Sequence, residues 1–295
     1  MAFLPSAATL GNLICGLIAI LCCLLSIRAE YFEVDSRAVH PILRAFFPSY
    51  VAIGAYLVVL AMLFDAVDGR LARMTRQTSE FGSQLDSISD VVSFGAAPVV
   101  LLLTILLRLV VPASGDPQIT HLEWRIGLTV GLVFVCCAAI RLARFNAENT
   151  ADESAQRKFS GLPTPGAALG LVSLLLLHQD LVYNGGVVWG IDWPPTLLRV
   201  ILAAAAVLGF LMVSRIDFVH VFNVYLTRER PPSHLIAVVV VVLLTVFAPQ
   251  VMLAVGAWAY VASGVILTVA GRGGRSAGPQ PPAGQPDWAA RSQEN

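Results

Sequence analysis

The sequence predicts an all-α fold: a polytopic membrane helix bundle of about eight transmembrane helices. Composition is the first reason. Across 295 residues, 57% are hydrophobic and only 13% are charged, and the mean hydropathy of +0.75 lies outside the range of soluble domains. The second reason is the length of the apolar runs. Eight of them, at about 7–27, 46–68, 82–111, 125–145, 162–182, 197–213, 234–248 and 250–270, come near the ~20 residues that a bilayer crossing requires. The third is where the acids fall, at the ends of two of those runs, where charge is expensive and calls for a function.

The first run follows Leu4-Pro5-Ser6-Ala7-Ala8-Thr9-Leu10-Gly11-Asn12, which places hydroxyl and amide groups at its head. No basic residue precedes it, so it reads as a retained helix rather than a cleaved signal peptide. Ser6 and Thr9 are also of the type that caps a helix. The second run ends in Asp65-Ala-Val-Asp68-Gly69-Arg-Leu-Ala72-Arg73. A polar connector then leads to Gly82-Ser-Gln-Leu-Asp86-Ser-Ile-Ser-Asp90 at the head of the third. That run is too long for one straight crossing and contains Pro98, which lacks a backbone donor and favours a kink. The fourth ends in Arg141-Leu-Ala-Arg144-Phe-Asn146, and the fifth is introduced by Phe159-Ser-Gly161-Leu-Pro163-Thr-Pro165. Small residues at Gly166, Ala167, Ala168 and Gly170 permit close helix contact within the chain or between two copies, so a homodimer is one open arrangement.

Beyond the sixth run, residues 217–233 mix aromatic and basic side chains as an interfacial connector or a plain loop. Two further helices are expected over 234–270, and 271–295, rich in Gly, Pro, Gln and Ser, reads as a disordered tail. The five cysteines (Cys15, Cys22, Cys23, Cys136, Cys137) lie inside apolar runs and predict neither disulfides nor a thiolate metal site. The five histidines (His40, His121, His178, His220, His234) lack ligand spacing and read as interfacial side chains.

Helical periodicity puts Asp65 and Asp68 on one face, and Gly82, Asp86 and Asp90 on another. If the two faces meet across a helical hairpin, four carboxylates converge at the edge of a low-dielectric slab. Their mutual repulsion amounts to several kcal/mol unless a cation lies between them. Oxygen-only ligands of this kind suit a hard divalent ion, Mg²⁺ or Mn²⁺, with room for two. A solvated cluster paired with Arg70, Arg73 and Arg76 is the plainer reading, but it does not need glycines and an alanine at set positions.

The spacing D-x2-D-G-x2-A-R-x8-G-x3-D-x3-D, filled at every position here, resembles the signature of the CDP-alcohol phosphatidyltransferases. The later segments Asp90-x-x-Ser93-Phe-Gly-x-Ala-Pro98, Arg141 to Asn146 and Phe159 to Pro165 resemble the phosphatidylserine synthase branch of that family. The resemblance covers roughly residues 4–216 and implies a six-helix catalytic core over 1–216. It implies transfer of a phosphatidyl group from CDP-diacylglycerol to L-serine, giving phosphatidylserine and CMP, with membrane lipids around the protein and no nucleic acid as partner. It further implies that Asp65, Asp68 and Asp86 hold one ion, that Asp86 and Asp90 hold a second, and that Asp90 is the general base. Gly69, Ala72, Arg73, Ser79 and Gly82 are then contacts of the CDP-diacylglycerol. So are Pro5, Thr9 and Asn12, although Ser6 stands where the family usually has Asn. Arg141, Arg144 and Ser93 are the candidates to contact serine, while the two arginines also suit an interfacial anchor.

Arg and Lys decide the expected sidedness. With eight crossings, the connectors on the side of the acids, together with both termini, carry more Arg and Lys than the other side, which places the acids at the cytoplasmic face of a bacterial-type plasma membrane. Two alternatives remain at this level. The same chemistry serves other acceptors, such as glycerol phosphate, inositol phosphate or choline. From a different class, a divalent-cation transporter also uses intramembrane acids, but it calls for acids spread through the depth of the bilayer rather than gathered at one level.

Overall fold

The computed structural model describes residues 3–31, 47, 49–75, 80–110, 120–149, 161–183, 187–188, 191–214, 216 and 248–273. They form α1 (Phe3–Tyr31), α2 (Tyr50–Thr75), α3 (Glu80–Asp90), a π-helical turn (Val91–Ala96), α4 (Ala97–Val110), α5 (His121–Asn149), α6 (Thr164–Tyr183), α7 (Trp193–Val213) and α8 (Pro249–Gly273). A minimal antiparallel pair, β1 (Val187–Val188) with β2 (Ile191–Asp192), joins α6 to α7. Seven helical stretches among the described residues are long and apolar enough to cross a membrane, with α3, the π turn and α4 counting as one stretch, Phe81–Val110. The protein is an all-α integral membrane bundle. The expected crossing at 234–248, the connector 217–233 and the tail from 274 onward lie outside the described residues, and α8 itself runs to Gly273, into the segment expected to be tail.

Side-chain and backbone hydrogen bonds show the helices alternating in direction. At one end, the head of α1 meets the end of α2 and α3, where Thr9 donates to Asp68 and Ser89 donates to the Thr9 carbonyl at 3.3 Å. The end of α5 meets α3 through Asn146 and Ser87 at 2.8 Å, and the head of α6 through Arg141 and Thr164 at 2.9 Å. At the opposite end, Arg108 of α4 donates to Ser26 of α1 at 3.1 Å, and Ser49, just before α2, donates to Gln179 of α6 at 2.8 Å. There too, Arg199 of α7 pairs with Glu123 of α5 at 2.8 Å.

The core is built from the inward faces of α1, α2, the π turn, α4, α5, α6 and α7, with Phe94, Leu101, Leu102, Phe134, Leu171 and Leu208 buried in it. Outward faces stay apolar as well, as on α1, where Leu10, Ile14, Leu17, Leu21 and Leu24 recur at helical spacing on the exposed side. In a bilayer that stripe faces acyl chains rather than water. Small residues set the helix separations. A β-carbon at Gly16 would lie 2.4 Å from Ser93 Oγ, and one at Gly127 would lie 2.3 Å from Leu106 Cδ1. The small residues of α6 serve contacts within the chain, since Gly170 faces Leu208 of α7 and Gly166 faces Tyr260 of α8.

The third stretch spans about 45 Å at 1.5 Å per residue, more than the hydrocarbon core of a bilayer. Its irregularity precedes Pro98. The Ala97 amide bonds to the Val92 carbonyl, one residue further back than in an α-helix, and this widened turn separates the acid-bearing α3 from the core-packed α4. Among the described histidines, His178 is buried in the protein, its Nδ1 3.3 Å from Nε2 of Gln179, whose Oε1 accepts from Ser49.

Candidate active site

The site gathers where the last turns of α2 face the last turns of α3. Continuous helix from Tyr50 to Thr75 carries Asp65 and Asp68 one turn apart, and α3 carries Asp86 and Asp90 one turn apart. The helical hairpin, which the spacing allows, brings three of the four acids together. One carboxylate oxygen from each of Asp65, Asp86 and Asp90 lies within 4.8 Å of the others, with Asp90 only 7% exposed. Asp68 stands beside this trio, near enough to act electrostatically on Asp65 and Asp86. Its own carboxylate accepts a hydrogen bond from the buried Thr9 hydroxyl.

Helix α1 closes the site from a third side. Asn12, fully buried, donates its amide to Asp90 Oδ1 at 3.1 Å, and its own Oδ1 is buried without a hydrogen-bond partner. Thr9 lies two turns inside α1, so the capping role considered for it does not apply. Pro5 lies in the first turns of the same helix, where a missing backbone donor costs nothing. Ser93, grouped with the acceptor contacts above, is fully buried on the π turn and donates to the Asn12 carbonyl at 2.9 Å. Its hydroxyl holds α1 against the acid-bearing helix.

On the remaining side stand α5 and α6. Arg141 acts electrostatically on Asp90, donates through Nη1 to the fully buried Thr164 at 2.9 Å, and keeps a buried Nε without a hydrogen-bond partner. Arg144 follows one turn later and is half-buried. The head of α6 is fixed by Gly161, whose φ of +100° is open to glycine alone at low cost, and by bonds from Gly161 N to the Ile216 carbonyl (2.8 Å) and Leu162 N to the Leu211 carbonyl (3.1 Å). Of the remaining predicted contacts, Ala72 and Arg73 continue α2 past the acids, Gly82 lies in α3, and Ser79 lies outside the described residues. At Gly69 a β-carbon would meet no atom of the described residues within 4 Å, which leaves open space beside the acid-bearing turn of α2.

The residues present fit a hard cation. Every donor is an oxygen, three carboxylates converge, and Asn12, which donates its amide to one of them, keeps its own Oδ1 buried without a partner. Without a cation, ionised groups at 4.8 Å would repel by about 3–4 kcal/mol per pair at the effective dielectric of a protein surface. The sequence reading missed Thr164, Ser87, Ser89 and Asn146 as parts of this assembly. Thr164 had a signal, a hydroxyl between two prolines at a helix start, but its partner is not legible without the fold.

Comparison with known proteins agrees with this architecture. The family model described as CDP-alcohol phosphatidyltransferase matches residues 2–211. The chain is 34% identical over 167 residues to a Helicobacter pylori protein named CDP-diacylglycerol–serine O-phosphatidyltransferase, covering 56% of this chain and 60% of that one. Proteins of the same name in Mycobacterium leprae and Bacillus subtilis are 32% identical over 201 residues and 30% identical over 220 residues. The match covers 67% of this chain and 57% of the mycobacterial protein, and 75% of this chain and 92% of the Bacillus protein. The chain thus spans less than two thirds of the Helicobacter and mycobacterial relatives.

Proposed function

The chain belongs to the CDP-alcohol phosphatidyltransferase family, and from that premise we propose that it transfers the phosphatidyl group of CDP-diacylglycerol to L-serine, releasing CMP. The observation that carries the reading is the convergence of Asp65, Asp86 and Asp90 within 4.8 Å, beside Asp68 and against Asn12. The serine acceptor is supported by the names of the relatives and by the short segments around Ser93, Arg141 and Pro163.

In this reading Asp65, Asp68 and Asp86 hold one divalent ion and Asp86 and Asp90 a second, Mg²⁺ or Mn²⁺. Bound there, such ions neutralise the diphosphate and stabilise charge on the leaving CMP. The protein's own groups do the rest. Gly69 and Gly82 let the substrate approach the backbone, Arg73 and Ser79 bind its phosphates, and Pro5, Thr9 and Ala72 line the nucleotide side. The serine hydroxyl oxygen attacks the lipid-side phosphorus, a new P–O bond forms, and the bond to the CMP oxygen breaks. Asp90 takes the hydroxyl proton, its carboxylate held by the Asn12 amide. Arg141, with Arg144 close behind, binds the serine carboxylate, for which a guanidinium offers a two-pronged donor.

The site faces the cytoplasm in this proposal. The connectors support this, since those on the side of the acids, together with both termini, carry about twice as many Arg and Lys residues as those on the other side when the chain crosses eight times. The described acids also gather at helix ends instead of forming a path through the middle, which argues against an ion transporter. The test is CMP release by the purified protein from CDP-diacylglycerol with Mn²⁺ or Mg²⁺ and a panel of alcohols. Release with L-serine alone supports the reading. Release with glycerol phosphate or inositol phosphate and not with serine reassigns the acceptor, and no release with any alcohol refutes the enzyme.

A further inference from the structure

Helix α8 lies wholly beyond the matched family region, which ends at residue 211, yet it packs on α6 at the site end. Trp258 Nε1 donates to the Gly170 carbonyl at 3.2 Å, and Tyr260 Cε1 lies 3.0 Å from where a β-carbon at Gly166 would be. Gly166 is two residues from Thr164, the residue that accepts from Arg141 Nη1. Tyr260 and Arg141 are, in addition, near enough to act on one another electrostatically. An arginine held at Nη1, with its buried Nε lacking a protein partner, presents its remaining edge in an orientation set by whatever surrounds it.

We propose that Tyr260 is a positioning residue for the acceptor: α8 carries its phenol over Gly166 so that, together with Thr164, it orients the Arg141 guanidinium toward the acceptor's carboxylate. Glycine at 166 then has a specific task, since a β-carbon there would lie 3.0 Å from the ring and shift it by a few tenths of an ångström. The added helix becomes part of the specificity apparatus. Its outer face stays apolar and exposed at Val251, Val255 and Ile266.

The proposal rests on the reading of Arg141 as the acceptor clamp, and the experiment separates the two. Kinetics of CMP release by the full chain are measured for wild type, Arg141→Lys, Tyr260→Phe and the double variant, varying serine and CDP-diacylglycerol in turn. If Arg141→Lys keeps a wild-type KM for serine, the clamp itself fails and this proposal falls with it, whatever Tyr260 does. If that KM rises, Tyr260→Phe is expected to raise it about fivefold, the scale of losing one polar neighbour of the guanidinium, with kcat and the KM for lipid unchanged. In the Arg141→Lys background the same change is expected to add nothing, because Tyr260 acts through Arg141. Tyr260→Phe keeps the ring on Gly166 and tests the hydroxyl without emptying the contact. A wild-type serine KM in this variant, equal rises in both backgrounds, or a parallel loss of kcat and lipid affinity overturns the proposal.

Discussion

Asn12 donates its side-chain amide to Asp90 Oδ1 at 3.1 Å, joining the first helix to an acid 78 positions later. Both groups are buried, so the bond fixes the direction of the carboxylate proposed to take the serine proton. Asn12→Ala is expected to lower kcat about tenfold or more, the scale of a hydrogen bond to a charged group, with the KM for serine little changed. Asp90→Asn is expected to lower turnover by roughly 10²-fold or more while CDP-diacylglycerol still binds. Steady-state kinetics beside a lipid-binding assay check both, and loss of binding in step with turnover would make Asp90 a ligand only.

Asp68 differs from its neighbours, because its carboxylate already accepts from Thr9. Asp65→Asn and Asp86→Asn should abolish activity, and Thr9→Val should cost about three- to tenfold by releasing Asp68 from its hydrogen bond. CMP release across the three variants checks this. A Thr9→Val enzyme as dead as Asp86→Asn would mean that its contact with the nucleotide outweighs its bond to Asp68.

The serine clamp makes its own prediction. Arg141→Lys keeps the charge but loses the fork, and should raise the KM for serine about tenfold, some 1.4 kcal/mol, with the lipid KM nearly constant. Arg144→Lys tests the second arginine in the same assay. Unchanged serine KM values in both variants return the pair to the role of interfacial anchors, and a fall in lipid affinity instead assigns them to phosphate.

Gly161 links this arginine to the rest of the bundle. A β-carbon there would lie 2.6 Å from the Met212 carbonyl oxygen on a backbone with φ of +100°, so Gly161→Ala pays twice, in strain and in overlap. It is expected to destabilise the detergent-solubilised protein by about 1–3 kcal/mol, read as a fall in Tm. Because the head of α6 carries Thr164, the serine KM of whatever folds should rise as well. An unchanged Tm would mean that the α6–α7 junction relaxes freely.

The helices and the acids were legible in the sequence because both follow from local rules. Apolar runs of bilayer length name the spans, and the i, i+3 and i, i+4 spacings put Asp65 with Asp68 and Asp86 with Asp90 before any fold is known. What was not legible is long-range. Thr9 reaches Asp68 across 59 positions, and Arg141 reaches Thr164 across 23 through a connector without regular pattern. The burial of His178 depends on which face of α6 meets Ser49, 130 positions from Gln179, and a nearly uniform apolar helix does not reveal its inward face. The π turn at Val91–Ala96 was hidden behind Pro98, the more obvious cause of irregularity in that helix.

The central claim is that Asp65, Asp86 and Asp90 form a divalent-cation site on which phosphatidyl transfer depends. The most direct measurement is Mn²⁺ binding to purified protein by electron paramagnetic resonance, run in parallel with CMP release, for wild type and Asp86→Asn. The account predicts tight binding by wild type, removal of both binding and activity by a chelator with recovery on adding the ion back, and loss of both in Asp86→Asn. Wild-type activity in excess chelator, or an Asp86→Asn protein that binds Mn²⁺ and turns over like wild type, would contradict it.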